Sequence, residues 1–384
     1  MRKAKITLIA LFVGTLAAFF LISVLKPQSD FSATENRSLE QRPEVCLDDI
    51  LSGDFQETYE NYLNDQFIAR DYWVDLAVGC EKLTGQKDVN GIYLGKDGYL
   101  LEKYVDGDFD SGIAEDYVGI LGDFLNRMTT QYGKEHVSCL LVPGKASALP
   151  RKLPAFAKPF GEQEVTDALV DQLEEPEVLL DLTDAMQAHQ DAYIYYRTDH
   201  HWTTLGAYYA YEAWCEQTGR KTPVLSDFDR ETVSDSFYGS SYNKCHQRVT
   251  ADTIELFHGS GEQRIHVNRN DGEQESDSWY VRDALEESDQ YQVFFDGNTA
   301  KITVDTGIEG KGTLLLVKDS YANCFVPFLA EDYSRIVMVD LRYSSDCIAD
   351  VMAEYPDITD VMVLYNIEKF LQSNSNIELL EEYE

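Results

Sequence analysis

Two short, largely apolar runs restrict what this chain can fold into. Val137 to Val142 stops at Pro143-Gly144, and Leu314 to Val317 stops at Lys318-Asp319-Ser320. A segment apolar at nearly every position must be buried on both faces, which is the pattern of a strand inside a parallel sheet rather than of a half-solvated antiparallel one. Helical periodicity separates such runs. Helices are expected over Ile113 to Tyr132, Glu164 to Leu173, Asp184 to His189, Tyr321 to Leu329 and Ile348 to Glu354. Further strands are expected over Val178 to Leu182, Tyr193 to Tyr196, Ile336 to Asp340 and Val361 to Tyr365. This alternation predicts an α/β domain with a mostly parallel sheet between two layers of helices.

Two regions depart from that rhythm. From Pro223 to about Gly310 short β-like runs (Asp252 to His258, Gln263 to Val267, Tyr291 to Phe295, Lys301 to Asp305) lie among Gly, Asn, Ser and Asp clusters. We read a β-rich insertion at about 223–310 that could flank or roof a site on the sheet. Ahead of the domain, Gln28 to Arg42 reads as an extended linker, and Phe55 to Leu63 as an amphipathic helix continuing through Phe67 and Trp73. Val89 to Leu101, with Asn90-Gly91 and Asp97-Gly98 among β-formers, reads as a hairpin.

At the N-terminus Arg2, Lys3 and Lys5 precede an apolar run from Ile6 to Leu25, closed by Lys26-Pro27. Its length suits a membrane-spanning helix, and the basic residues ahead of it place the rest of the chain outside the cytoplasm. The expected organisation is an uncleaved signal anchor at 1–27, a linker, helix and hairpin extension at 28–109, and a main domain at 110–384. The localisation that follows is the cell membrane, single-pass, with the main domain extracytoplasmic.

The formal charge of -36, from 68 acids against 32 bases, argues against a nucleic-acid partner, because phosphate binding needs a basic surface. Seven cysteines, at 46, 80, 139, 215, 245, 324 and 347, show no C-x-x-C pair and no metal-ligand spacing; buried single thiols are the simplest reading.

Chemistry concentrates in Tyr195 to Thr203, where Asp199, His200, His201 and Trp202 fall together at a predicted strand-to-helix turn, with Thr203 a plausible N-cap and Gly219 the stop of the following helix. Imidazole exchanges protons near neutral pH, and a carboxylate two residues away can orient it. Ser320 stands where the second apolar strand turns into a helix. Its hydroxyl could project above the sheet edge, with helix-start N–H groups facing a developing oxyanion. Adjacent His200 and His201 are expected to point apart, and no other His or Cys cluster supports an ion, so no metal or cofactor is expected.

Asp199-His200-His201-Trp202 resembles the signature of the DHHW proteins, whose extracellular domains are similar to the SGNH-hydrolase-like O-acetyltransferases of alginate biosynthesis. Glu35 to Leu39, Asp65-Gln66-Phe67, Val142 to Lys145, Lys318 to Ala322 and Asp340 to Tyr343 resemble further blocks of that family. The resemblance implies an SGNH-like, flavodoxin-like three-layer sandwich and a triad of Ser320 nucleophile, His201 general base and Asp199. It leaves His200 structural or substrate-facing. Lys145, Arg342 and Asn366, at predicted carboxyl edges of the sheet, and Trp202 are further candidates for substrate or oxyanion contacts. The Gly-Asp-Ser opening usual in SGNH hydrolases is absent.

The resulting expectation is a membrane-anchored serine O-acyltransferase, most simply an O-acetyltransferase, acting on a cell-surface or exported polysaccharide. Its partners would be that polysaccharide and an acyl donor or membrane acyl-transfer protein. An acetyl esterase shares the same triad, and a non-catalytic glycan-binding scaffold is the contrasting class. The separation of Ser320, His201 and Asp199 distinguishes the last from the first two.

Overall fold

In the computed structural model the described residues are 2–29, 31–32, 37–43, 45–46, 52, 54–70, 72–73, 76, 79, 85–245, 247, 249–259, 264–373 and 376–381. Glu35, Asn36, Cys80, Glu382, Tyr383 and Glu384 lie outside them. The chain divides into two compact units, 1–86 with 242–248, and 87–241 with 249–384.

In the first unit, helix α1 (Arg2–Leu25) contains one stretch, Lys5–Ser23, long and apolar enough to cross a membrane. Helix α2 (Asp54–Asp65) stops before Phe67, and Ala69 adopts a positive φ of 51°, so the helix expected to run on to Trp73 is broken here. The block Asp65-Gln66 has a local task. Gln66 pairs with both backbone groups of Ser29, donating to its carbonyl at 2.8 Å and accepting from its N–H at 3.0 Å, while Asp65 accepts the Glu40 N–H at 2.8 Å.

The second unit opens with a three-stranded meander, β1 (Asp88–Val89), β2 (Ile92–Leu94) and β3 (Leu100–Glu102). Asn90 and Gly91, with φ of 47° and 76°, supply the two left-handed residues that a tight hairpin needs. Helix α3 (Ser111–Tyr132) is capped by Asp110, and leads into β4 (Val137–Val142), α4 (Lys145–Ala148), α5 (Gln163–Gln172), β5 (Leu179–Asp181), α6 (Thr183–Ala188) and α7 (Thr204–Thr218). There follow the antiparallel pair β6 (Asp229–Phe237) and β7 (Asp252–His258), then β8 (His266–Arg269), β9 (Gln274–Ser276) and β10 (Lys301–Asp305). The chain closes with β11 (Thr313–Lys318), α8 (Ala322–Phe325), β12 (Arg335–Val339), α9 (Ile348–Glu354), β13 (Ile358–Asn366) and α10 (Ile367–Ser373).

Among the described residues the large sheet has eight strands, in the order β9-β8-β10-β12-β11-β13-β4-β5. The five from β12 to β5 are parallel, whereas β10, β8 and β9 add antiparallel at one edge. Strand alternation explains the apolar runs. Cys139, Leu141, Leu315, Val317, Val337 and Val363 join a core with α3, while Leu140, Val142, Leu314, Leu316, Met338 and Leu364 join a second core with α7. Both faces are covered, so the middle positions of these strands are apolar, and the buried polar residues Lys318 and Asn366 fall at the strand ends.

Two expected strands are not strands. Gln290 to Val293 is a 3₁₀ turn, because Phe295 and Asp296 take positive φ of 62° and 56° and bend the chain away from the sheet. Tyr193 to Tyr196 makes a single bridge, between Tyr195 and Trp202, and joins no sheet. Its backbone groups are satisfied otherwise. The Tyr196 carbonyl accepts from the Lys145 ammonium at 2.9 Å, and the Arg197 and Thr198 N–H groups donate to the Asp252 carboxylate at 2.8 and 2.6 Å. Among the described residues six cysteines are free thiols; Cys139, Cys215, Cys245 and Cys324 are buried, Cys347 is half-buried and Cys46 is exposed.

Candidate active site

Residues 194–203 fold back on themselves. Tyr196 N–H donates to the His201 carbonyl at 3.2 Å and Thr203 N–H to the Ile194 carbonyl at 2.9 Å, leaving Asp199, His200 and His201 at the tip. The loop feeds directly into α7, whose N-cap Thr203 accepts from Gly206 N–H and whose end is Gly219 in the left-handed region. Helix α7 approaches the loop so closely that a Cβ on Gly206 would lie 2.2 Å from the Ile194 carbonyl oxygen. Lys145, 2% exposed, fastens the loop from beneath: its ammonium donates to the carbonyls of Leu100 at 2.6 Å and Tyr196 at 2.9 Å, and to that of Asp199.

Ser320 sits just past β11. The Asp319 carboxylate staples its turn, accepting Tyr321 N–H at 2.9 Å and Asn366 N–H at 2.8 Å. Three further hydrogen bonds tie the serine turn to its surroundings. Trp202 Nε1 donates to the Tyr321 carbonyl at 2.9 Å, Tyr321 OH to the His200 carbonyl at 2.6 Å, and Tyr291 OH to the Ser320 carbonyl at 3.1 Å.

These constraints bring together groups 119 residues apart in sequence: Ser320 Oγ lies 2.7 Å from His201 Nε2. His201 Nδ1 lies 2.6 Å from Asp199 Oδ1, which also accepts the His201 N–H at 2.9 Å. With Nδ1–H facing a carboxylate, Nε2 keeps its lone pair and can accept the serine proton. Burial would raise the Asp199 pKa, but the adjoining His200 and His201 rings and their hydrogen bonds outweigh it and hold the carboxyl well below the usual range. For His201, burial and then the neighbouring His200 ring push the pKa below 6.5, against the pull of Asp199. The ring is therefore neutral near pH 7, the state a general base requires.

The other expected contributors are placed as follows. Arg342 forms a two-point pair with Asp340 at 2.8 and 2.6 Å. Asn366 is fully buried, donates its side-chain amide to the Val142 carbonyl at 3.1 Å and accepts Lys369 N–H. Trp202 is fully buried beside Tyr321. The expected row of helix-start donors is largely spent, since the N–H groups of Tyr321, Ala322 and Asn323 all have acceptors within the turn. Among the described residues, none accepts the Ser320 N–H, which leaves it as a donor for a carbonyl oxygen beside its own hydroxyl.

His200 and His201 do not point apart. Their ring centroids lie 3.8 Å apart, because residues 198–201 form a bend rather than extended strand. Asp199, His200 and His201 offer ligand atoms within 4.8 Å of one another. Both ring nitrogens of His201 are already committed, one to Asp199 and one to Ser320.

Several residues at the site escaped the sequence reading. Tyr291 stacks on the His201 ring at 3.9 Å between centroids and 7° between planes. Ser240 N–H donates to Asp199 Oδ2 at 2.8 Å, and its hydroxyl lies 2.6 Å from His200 Nδ1. Behind Asp319, Lys318 is fully buried, with its ammonium on Asn298 and Asn323, each at 2.8 Å, and 3.6 Å from Asp340; burial brings its pKa down to about 8. Tyr291 and Ser240 gave no signal of their own beyond lying in the expected insertion, whereas Lys318 stands in the Lys318 to Ala322 block.

Residues 179–339, which include Asp199 to Trp202 and Ser320, match the family model described as DHHW protein. The chain is similar to the solved structure of a DHHW family protein from Eubacterium siraeum, with 24% identity, a TM-score of 0.61 and coverage of 76% of this chain and 95% of that one. It is similar to PatB1 of Bacillus cereus, with 19% identity, a TM-score of 0.62 and coverage of 75% and 99%; PatB1 has also been solved with a sulfonyl adduct. The O-acetyltransferase domain of Pseudomonas putida AlgJ is more distant, with 15% identity, a TM-score of 0.45 and coverage of 76% and 98%. No curated protein matches the chain. The DHHW resemblance read from Asp199 to Trp202 is borne out, and the first two structures share the fold.

Proposed function

We propose that this chain is a serine acyltransferase, anchored in the membrane by α1, that moves O-linked acetyl groups onto a cell-surface or exported polysaccharide through Ser320, His201 and Asp199. The observation that carries this reading is the continuous relay from Asp199 Oδ1 to His201 Nδ1 at 2.6 Å and from His201 Nε2 to Ser320 Oγ at 2.7 Å. A scaffold that only binds glycan has no need to keep a neutral imidazole against a serine hydroxyl inside a buried turn.

In the first half-reaction Ser320 Oγ attacks the donor's acyl carbon as its proton passes to His201 Nε2. The Ser320 N–H supports the tetrahedral oxyanion. The donor's leaving oxygen takes the proton back from His201, and an acyl-Ser320 ester remains. In the second, an acceptor hydroxyl gives its proton to His201, attacks the acyl carbon and displaces Ser320 Oγ, which is reprotonated. Water in place of the sugar hydroxyl makes the same site an acetyl esterase.

In this reading Lys145, Asn366 and Trp202 hold the two turns in place, and Arg342 is paired with Asp340. Covalent labelling tests it: phenylmethylsulfonyl fluoride should modify the wild-type chain at Ser320 and leave Ser320→Ala and His201→Ala unlabelled. Equal labelling of all three would refute it.

A further inference from the structure

We propose that His200 and Ser240 form the acceptor subsite and select a vicinal diol of a carbohydrate over a lone hydroxyl. The inference rests on Ser320 carrying the acyl group, and deepens that reading by assigning the acceptor's chemistry.

His200 Nδ1 lies 2.6 Å from Ser240 Oγ and 3.6 Å from Asp199 Oδ2. A carboxylate at that edge favours the tautomer with its proton on Nδ1, where it donates to Ser240 Oγ. Nε2 is then left with a lone pair, and among the described residues none donates to it. The His200 backbone carbonyl accepts from Tyr321 OH at 2.6 Å, and Ser240, the partner of the ring, is fixed by its N–H on Asp199 Oδ2 at 2.8 Å. His200 is also the more open of the two rings, with its side chain 16% exposed against 8% for His201.

The two ring centroids lie 3.8 Å apart with 35° between the planes, so a second imidazole stands beside the one whose Nε2 reaches Ser320 Oγ at 2.7 Å. After acylation, His201 Nε2 is released from Ser320 and accepts the proton of the attacking hydroxyl. His200 Nε2 can accept the neighbouring hydroxyl of the same molecule. Adjacent carbons of a sugar ring present two hydroxyls in this way, whereas water or a monohydric alcohol fills only one position. A second hydrogen bond made only by the diol orients its partner for attack. His200 would touch the acceptor, and Ser240 would position His200 through its tautomer.

The test uses the full-length chain in detergent, acylated with p-nitrophenyl acetate. Acyl-enzyme is quantified first, with no acceptor present, and transfer is then measured to 1,2-propanediol and to 1-propanol at equal concentration. The readout is the diol-to-alcohol transfer ratio within each variant, so a changed hydrolysis rate does not obscure it. We expect a wild-type ratio of at least fivefold, falling towards unity in His200→Ala, partly restored in His200→Gln, whose amide oxygen can accept, and reduced in Ser240→Ala. A wild-type ratio near unity, or an unchanged ratio in His200→Ala and Ser240→Ala, overturns the proposal. Loss of acylation in both variants also overturns it, because the pair would then serve the first half-reaction. Failure of the wild-type chain to acylate is read before any acceptor is added, and refutes instead the assignment of Ser320.

Discussion

The ring of Tyr291 lies flat against that of His201, 3.9 Å between centroids and 7° between planes, while its hydroxyl donates to the Ser320 carbonyl at 3.1 Å. One side chain of the inserted region thus braces both turns of the relay. A stacked aromatic pair contributes about 0.5–1.5 kcal/mol beyond the area it buries. Tyr291→Ala should therefore lower kcat/KM for an acetyl ester by roughly tenfold. Tyr291→Phe, which keeps the stack and loses the hydroxyl, should lose less. Steady-state kinetics of the two variants separates the contributions; equal losses would contradict the assigned role of the stack.

Gly239 is a steric requirement of the relay. A Cβ there would fall 2.2 Å from the Asp199 Cβ and 2.3 Å from its Oδ2. Gly239→Ala should push the carboxylate off His201 and lower kcat by about a hundredfold, as displacements of about an ångström do. Circular dichroism should stay close to wild type. Full activity in this variant would mean that Asp199 is not needed where it stands.

Lys145 is expected to govern stability. Its buried ammonium serves the carbonyls of Leu100, Tyr196 and Asp199. Lys145→Met would leave buried acceptors unpaired at a cost of about 3 kcal/mol, read from denaturant midpoints. A loss below about 1 kcal/mol would show that water satisfies these carbonyls.

The pH dependence has a definite sign. The folded pKa of His201 lies below 6.5, so protonation works against the folded relay. This group's contribution to stability is full above 6.5 and is lost as pH falls through the folded value. The same protonation removes the general base, so kcat/KM should rise with pH along a limb whose midpoint lies below 6.5 and be flat near neutrality. A midpoint above 6.5 would contradict the neutral resting imidazole.

The parallel strands and the helix after Trp202 were legible because their causes are local. Val137 to Val142 and Leu314 to Val317 must be covered on both faces, and Thr203 and Gly219 carry cap chemistry in their own side chains or backbone. Asp199, His201 and Ser320 could be named, yet their meeting depends on Trp202, Tyr321 and Tyr291 hydrogen-bonding across long sequence separations. Tyr193 to Tyr196 has the composition of a strand, and only Asp252 and Lys145 explain why it folds as a loop. Ser240 gave no local signal, since its importance lies in facing Asp199 and His200 from another segment.

The most direct test of the central claim is peptide mapping of the acyl-enzyme after brief exposure of the full-length chain to p-nitrophenyl acetate at neutral pH. The account predicts one acetyl ester, on Ser320, whose formation slows at least a thousandfold in His201→Ala and is absent in Ser320→Ala. Acetylation that spares Ser320, or ester turnover unchanged in Ser320→Ala, would contradict it.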